Sequence, residues 1–122
     1  MMIAARVFAT CGLSLILMTP AAGFEYSSKQ SNAIASVAQA NVAGGNCPGQ
    51  EAINTAMADE LREAGFVADP YKSTEFERVW RANTVELYGL LHRSSAALCA
   101  ALWQRLGPSG SHGHQMLKVR NR

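Results

Sequence analysis

Two cysteines 52 positions apart, Cys47 and Cys99, constrain this chain more than any other feature. Cys47 opens one amphipathic stretch, Asn46-Cys47-Pro48-Gly49-Gln50-Glu51, and Cys99 lies in the last one, Ala97-Leu98-Cys99-Ala100-Ala101-Leu102-Trp103. Whether they pair depends on compartment, and the first residues bear on that. Arg6 precedes an apolar run from Val7 to Met18, and Pro20 breaks it ahead of Ala21-Ala22-Gly23. Charged, apolar and small-residue regions in this order read as a secretory signal peptide over residues 1–23, with cleavage after Gly23 and a mature chain from Phe24. The run is short and diluted by Thr10, Gly12 and Ser14. An uncleaved anchor is therefore the rival reading, and no stable membrane span is expected after cleavage. A lipoprotein fits poorly, because Phe8-Ala9-Thr10 before Cys11 lacks a Leu followed by two small residues.

Cleavage discards Cys11 and leaves 99 residues with two cysteines. An even pair in an exported chain reads as a disulfide, whereas in the cytosol it would stay reduced. Closing a loop of this length is worth about 4 kcal/mol in the chain-entropy model. A domain under a hundred residues has a thin margin, so such a clasp matters. Charge excludes one class of partner. Residues 24–106 carry seven basic and nine acidic side chains, and 107–122 add Lys118, Arg120 and Arg122. No dense basic face exists for a phosphate backbone, so nucleic acid is not expected as a partner.

Helical spacing runs through the body. From Gln30 to Ala43 the chain is rich in Ala, Ser, Asn and Gln, with Ile34, Val37, Ala38 and Asn41 at helical intervals; Gly44-Gly45 should end this helix. Its thin apolar stripe requires docking on something else. After the Asn46–Gly49 turn, Ile53, Met57 and Leu61 mark a second helix, with Glu51 suited to its positive end. Gly65 offers a left-handed stop and Phe66 a fold-back contact. Phe66 to Thr74 is a connection built on Asp69-Pro70, and Thr74 with Glu77 makes a capping box. Phe76, Val79, Trp80, Asn83, Leu87, Leu90 and Leu91 share one face of the third helix, with a Glu77–Arg81 pair on its flank. Ser94-Ser95 caps a fourth helix carrying Leu98, Cys99, Leu102, Trp103 and Leu106. One bent helix through Ser94 is the alternative. Gly107-Pro108 ends the segment, and residues 107–122 read as a flexible basic tail in which Met116, Leu117 and Val119 either dock or stay free. The expected fold is all-α: a bundle of three to four helices over residues 24–106, closed by one disulfide, with that tail attached.

Chemistry is sparse. A Cys47 thiol at a helix N-terminus would be activated, but no CxxC partner or paired histidine accompanies it, so a structural disulfide is favoured. His112 and His114 are weak metal candidates, since no acid accompanies them after Gly107. Asp59, Glu60 and Glu63 read as a solvated face beside Arg62. Asn83 interrupts an apolar stripe. It is either a core amide bonded to a loop backbone near Asn46 or Phe66, or the polar floor of a ligand groove. Phosphate loops, nucleophile elbows, HExxH and EF-hand patterns are absent from the sequence.

The Asn46-Cys47-Pro48-Gly49 turn, the Ala64-Gly65 stop and Cys99-Ala100-Ala101-Leu102-Trp103 through Gly107-Pro108 resemble those of small uncharacterised exported proteins of Gram-negative bacteria, over about residues 40–108. The resemblance implies a periplasmic location and an intact cysteine pair, and it carries no catalytic residues. In size and cysteine count the chain is also similar to the small disulfide-bonded helical acid-stress chaperones of the periplasm. The function expected is a non-enzymatic periplasmic or secreted module, without cofactor or bound metal, that binds another envelope protein. A stress chaperone is the alternative. A small-ligand carrier or hydrolase comes third and would need a pocket near Asn83.

Overall fold

The computed structural model describes residues 26–67 and 70–121. The signal peptide expected over residues 1–23, the cleavage expected after Gly23, and Cys11 lie outside the described residues. In chain order the elements are α1 (Ser28–Asn46), β1 (Gln50–Ala52), α2 (Asn54–Glu63), a 3-10 turn (Pro70–Lys72), α3 (Thr74–Leu106) and β2 (Leu117–Val119).

The thin stripe of α1 turns out to belong to the central helix. Ser27 caps it: its side chain accepts from the Gln30 N–H, and the Gln30 side chain accepts from the Ser27 N–H, each at 3.1 Å. This reciprocal box holds two N–H groups that the helix leaves unpaired. Ala33, Ile34, Val37, Ala38, Ala40, Val42 and Ala43 are all buried. Small side chains let other elements approach α1 from several sides, so few large apolar residues were needed. Gly44-Gly45 do not end the helix as expected. A Cβ on Gly44 would lie 2.8 Å from the Ala52 backbone N, so this glycine admits β1 against the helix. The helix ends at Cys47, which leaves helical geometry (φ −97°, ψ 121°).

The all-α expectation is corrected beyond that point. Gln50–Ala52, expected to open the second helix, is a strand, with Gly49 at φ +77° making the turn into it. It pairs antiparallel with Leu117–Val119, Gln50 opposite Val119 and Ala52 opposite Leu117. Cys47 therefore ends α1 rather than beginning a helix, and Glu51 lies in the strand. The fold is mainly helical with a two-stranded sheet. The flexible tail is corrected with it: Met116 and Leu117 are 0% exposed. Backbone bonds from Ser111 to Gln104, His112 to Arg105 and Met116 to Leu106 lay the intervening loop on the end of α3. Arg120, expected to be solvated, donates from its guanidinium to the carbonyls of Gly44 and Gln50. Each strand is three residues long, too short for period-two alternation to register, and its partner is distant in sequence.

The α2 stop is as expected. Gly65 sits at φ +100°, its N–H donates to the Arg62 carbonyl, and the Phe66 N–H reaches back to Leu61 at 3.1 Å. These two bonds make the Schellman arrangement that only glycine adopts without strain. The start of α3 is one residue earlier than expected. Ser73, not Thr74, is the cap, accepting from the Phe76 N–H at 3.3 Å. The Glu77–Arg81 pair forms at 2.6 Å.

Ser94 departs from helical geometry (φ −161°, ψ 79°), and α3 changes direction there. A straight helix of 33 residues would span about 50 Å. Instead, both halves pack on α1. Phe76 meets Phe66, and Phe66 meets Tyr26 just before α1, both edge to face, while Tyr88 meets Asn46 at the α1 end. The chain then returns: Cys99 is bonded to Cys47, with Cα atoms 5.6 Å apart, and Arg105 reaches Ser36. Residues 74–93 thus run along α1 and 95–106 run back against it. The sequence break favoured at Ser94 is a real change of path within one continuous helical element. Leu90, placed on the apolar face, is instead exposed where the turn projects past the α1 end.

Candidate functional site

Two places concentrate chemistry: a polar cluster where the C-terminal segment crosses α2, and an apolar cleft on the other face of α2.

The cluster begins with Arg105 on the returning half of α3. Its guanidinium donates to the Gln39 side chain and, at 3.0 Å, to the hydroxyl of the fully buried Ser36. The Nδ1 of His112 lies 3.5 Å from the same guanidinium, and His112 Nε2 lies 2.9 Å from Glu60 Oε2. His114 Nε2 lies 2.9 Å from Glu63 Oε1 and 3.9 Å from Glu60 Oε1. The acids absent from the tail sequence therefore come from α2. Glu60 is corrected from solvated to largely buried, its side chain 12% exposed, while Asp59 stays on the surface and pairs with Arg62.

This gathering of imidazoles and carboxylates resembles a ligand set, but His112 Nε2 is already 2.9 Å from Glu60 and its Nδ1 faces the Arg105 guanidinium at 3.5 Å. Among the described residues, no group of three or more His, Cys, Asp or Glu is arranged to hold a metal ion. Ser36 is fully buried beneath Arg105. These contacts join the C-terminal segment to α2 and α3, and α3 to α1.

The remaining sequence candidates fall elsewhere. Cys47 and Cys99 form the disulfide and are both buried, with Trp103 half-buried against the same core. Asn83 is half-buried, and its amide donates at 2.9 Å to the Val79 carbonyl one turn back. Its partner is its own helix, not the loop backbone expected.

The cleft has a volume of about 640 Å³ and is lined by Asn54, Met57, Ala58, Leu61 and Arg62 of α2 with Phe66, Val67, Pro70 and Tyr71 of the connection. Leu61 is buried at its base, while Val67 and Tyr71 are 81% and 54% exposed at its rim. Behind it the aromatic rings brace one another edge to face. Phe66–Phe76 and Tyr71–Phe76 centroids are 5.5 and 5.0 Å apart, and Tyr71 also meets Trp80 at 5.9 Å. The sequence reading treated residues 66–74 as a spacer and missed this site. The available signal was three large apolar side chains, Phe66, Val67 and Tyr71, within the seven residues from Gly65 to Tyr71. Among the described residues, no helix is long and apolar enough to cross a membrane.

No protein-family model, curated protein or solved structure matches this chain.

Proposed function

We propose that the protein is an exported, disulfide-clasped helical module that works by binding, without catalysis, a short apolar segment of another envelope polypeptide in the α2 cleft. The observation that carries this reading is the cleft itself: a braced apolar surface with Val67 and Tyr71 held out in solvent. Ligand sites are commonly concave and mostly apolar, within roughly 300–1,000 Å³. An exposed aromatic side chain such as Tyr71 on a rigid base is what peptide-binding surfaces use. Among the described lining residues only Arg62 is charged. The occupant that fits best is therefore an apolar or aromatic side chain, flanked by a carboxylate that would share Arg62 with Asp59.

Ala58 is exposed on the cleft wall, so Ala58→Arg fills the cleft without disturbing the core. Peptide-display selection against the disulfide-bonded protein should return apolar, acid-flanked peptides whose binding is lost in Ala58→Arg at an unchanged melting temperature. Peptides that bind the variant equally well would remove the cleft as the site. Selective uptake of a fatty acid in place of peptide would make the protein a ligand carrier instead.

A further inference from the structure

We infer that the C-terminal segment is a strap fastened across α2 through His112 and His114, and that the His114 fastening loosens as the solution passes from mildly acidic to mildly alkaline. Residues 107–121 leave α3 through backbone bonds to Gln104 and Arg105 and then join β1 as β2. Between these anchors the chain crosses the outer face of α2, where the two imidazoles meet Glu60 and Glu63.

The two fastenings differ in kind. His112 is enclosed between Glu60 and Arg105, its side chain 19% exposed. His114 is one-third exposed and faces carboxylates: Glu63 at 2.9 Å, Glu60 at 3.9 Å and Asp59 close by. From the other packed elements the nearby charges are Lys29 of α1, which shares a surface cleft with Glu60 and Glu63, and Arg105 of α3. Arg62 engages Asp59, and His112 engages Glu60. That leaves Glu63 for His114. The hydrogen bond to Glu63 raises the His114 imidazole above its ordinary value of 6.5; burial opposes this, and the charges of Glu63, Glu60 and Asp59 add to the rise. The folded state then holds the proton more tightly than the unfolded chain. The contribution is complete below about 6.5 and is lost as pH rises through the folded value.

Strap and cleft share α2: the strap meets the face of Glu60 and Glu63, and the cleft lies on the opposite face with Met57, Ala58 and Leu61.

Two backbone amides report strap closure: Met116 N–H, which donates to Leu106, and Arg120 N–H, which donates to Gly49. Their hydrogen-exchange protection, corrected for intrinsic rate, is to be measured on the full disulfide-bonded chain at about pH 5.5 and about pH 8. A half-exposed ion pair changes an opening equilibrium about two- to fivefold, and protection should fall by that factor in the natural protein. In His114→Gln, which keeps a donor but cannot titrate, and in Glu63→Gln, the fall should vanish. No fall in the natural protein, or the same fall in both variants, would overturn the strap. Ala58→Arg should leave the response intact, so a failed cleft and a failed strap give different results.

Discussion

Adjacent residues of one type carry opposite burdens in this chain, and Gly44 and Gly45 show it most clearly. Both sit in α1, where glycine costs roughly 0.5–1 kcal/mol relative to alanine. Nothing lies within 4 Å of where a Gly45 Cβ would go, whereas a Gly44 Cβ would strike the Ala52 backbone. Gly45→Ala should therefore stabilise the protein by about 0.5–1 kcal/mol in urea unfolding. Gly44→Ala should destabilise it by roughly 1–3 kcal/mol, the range for overpacking. Equal effects at the two sites would mean that β1 does not rest on the helix. Read locally, the pair looked like a helix stop; close approach of a strand explains why it is not one.

Among the elements, β2 owes least to local preference. Its three residues gain their place from the burial of Met116 and Leu117 and from pairing with β1. Leu117→Ala should cost about 2–5 kcal/mol, as for other fully buried leucines. Val119→Ala, 63% exposed in the same strand, should stay within about 0.5 kcal/mol. A free tail would make both silent. The α2 stop and the Ser94 break were legible because Gly65 and the Ser94-Ser95 pair act within one turn of chain. The α3 cap was misplaced by one residue, Thr74 for Ser73, since both side chains can accept from the first turn and packing chooses between them.

At the scale of the molecule, the disulfide ties the end of α1 to the returning half of α3, and the C-terminal strand pairs with β1 beside it. Cys99→Ser restores the entropy of a 52-residue loop to the unfolded chain and removes about 4 kcal/mol in that model. For a domain of this size that corresponds to a fall in Tm of about 10 °C or more, measured by circular dichroism under non-reducing conditions. An unchanged melt would show the clasp to be idle. The same tertiary arrangement produced both candidate sites. Glu60 and His112 are 52 positions apart, and the cleft joins α2 to a connection whose composition alone suggested a spacer.

What the residues decided by themselves was the helical body, the spacing of its faces, the glycine cap at Gly65 and the two cysteines available to pair. Each depends on a signal that repeats within a few positions. Tertiary structure decided that Gln50–Ala52 is a strand, that the tail is bound, and that His112 lies between Arg105 and Glu60. Those outcomes turn on contacts between distant segments, where burial and pairing outweigh the small local preferences that a linear pattern records.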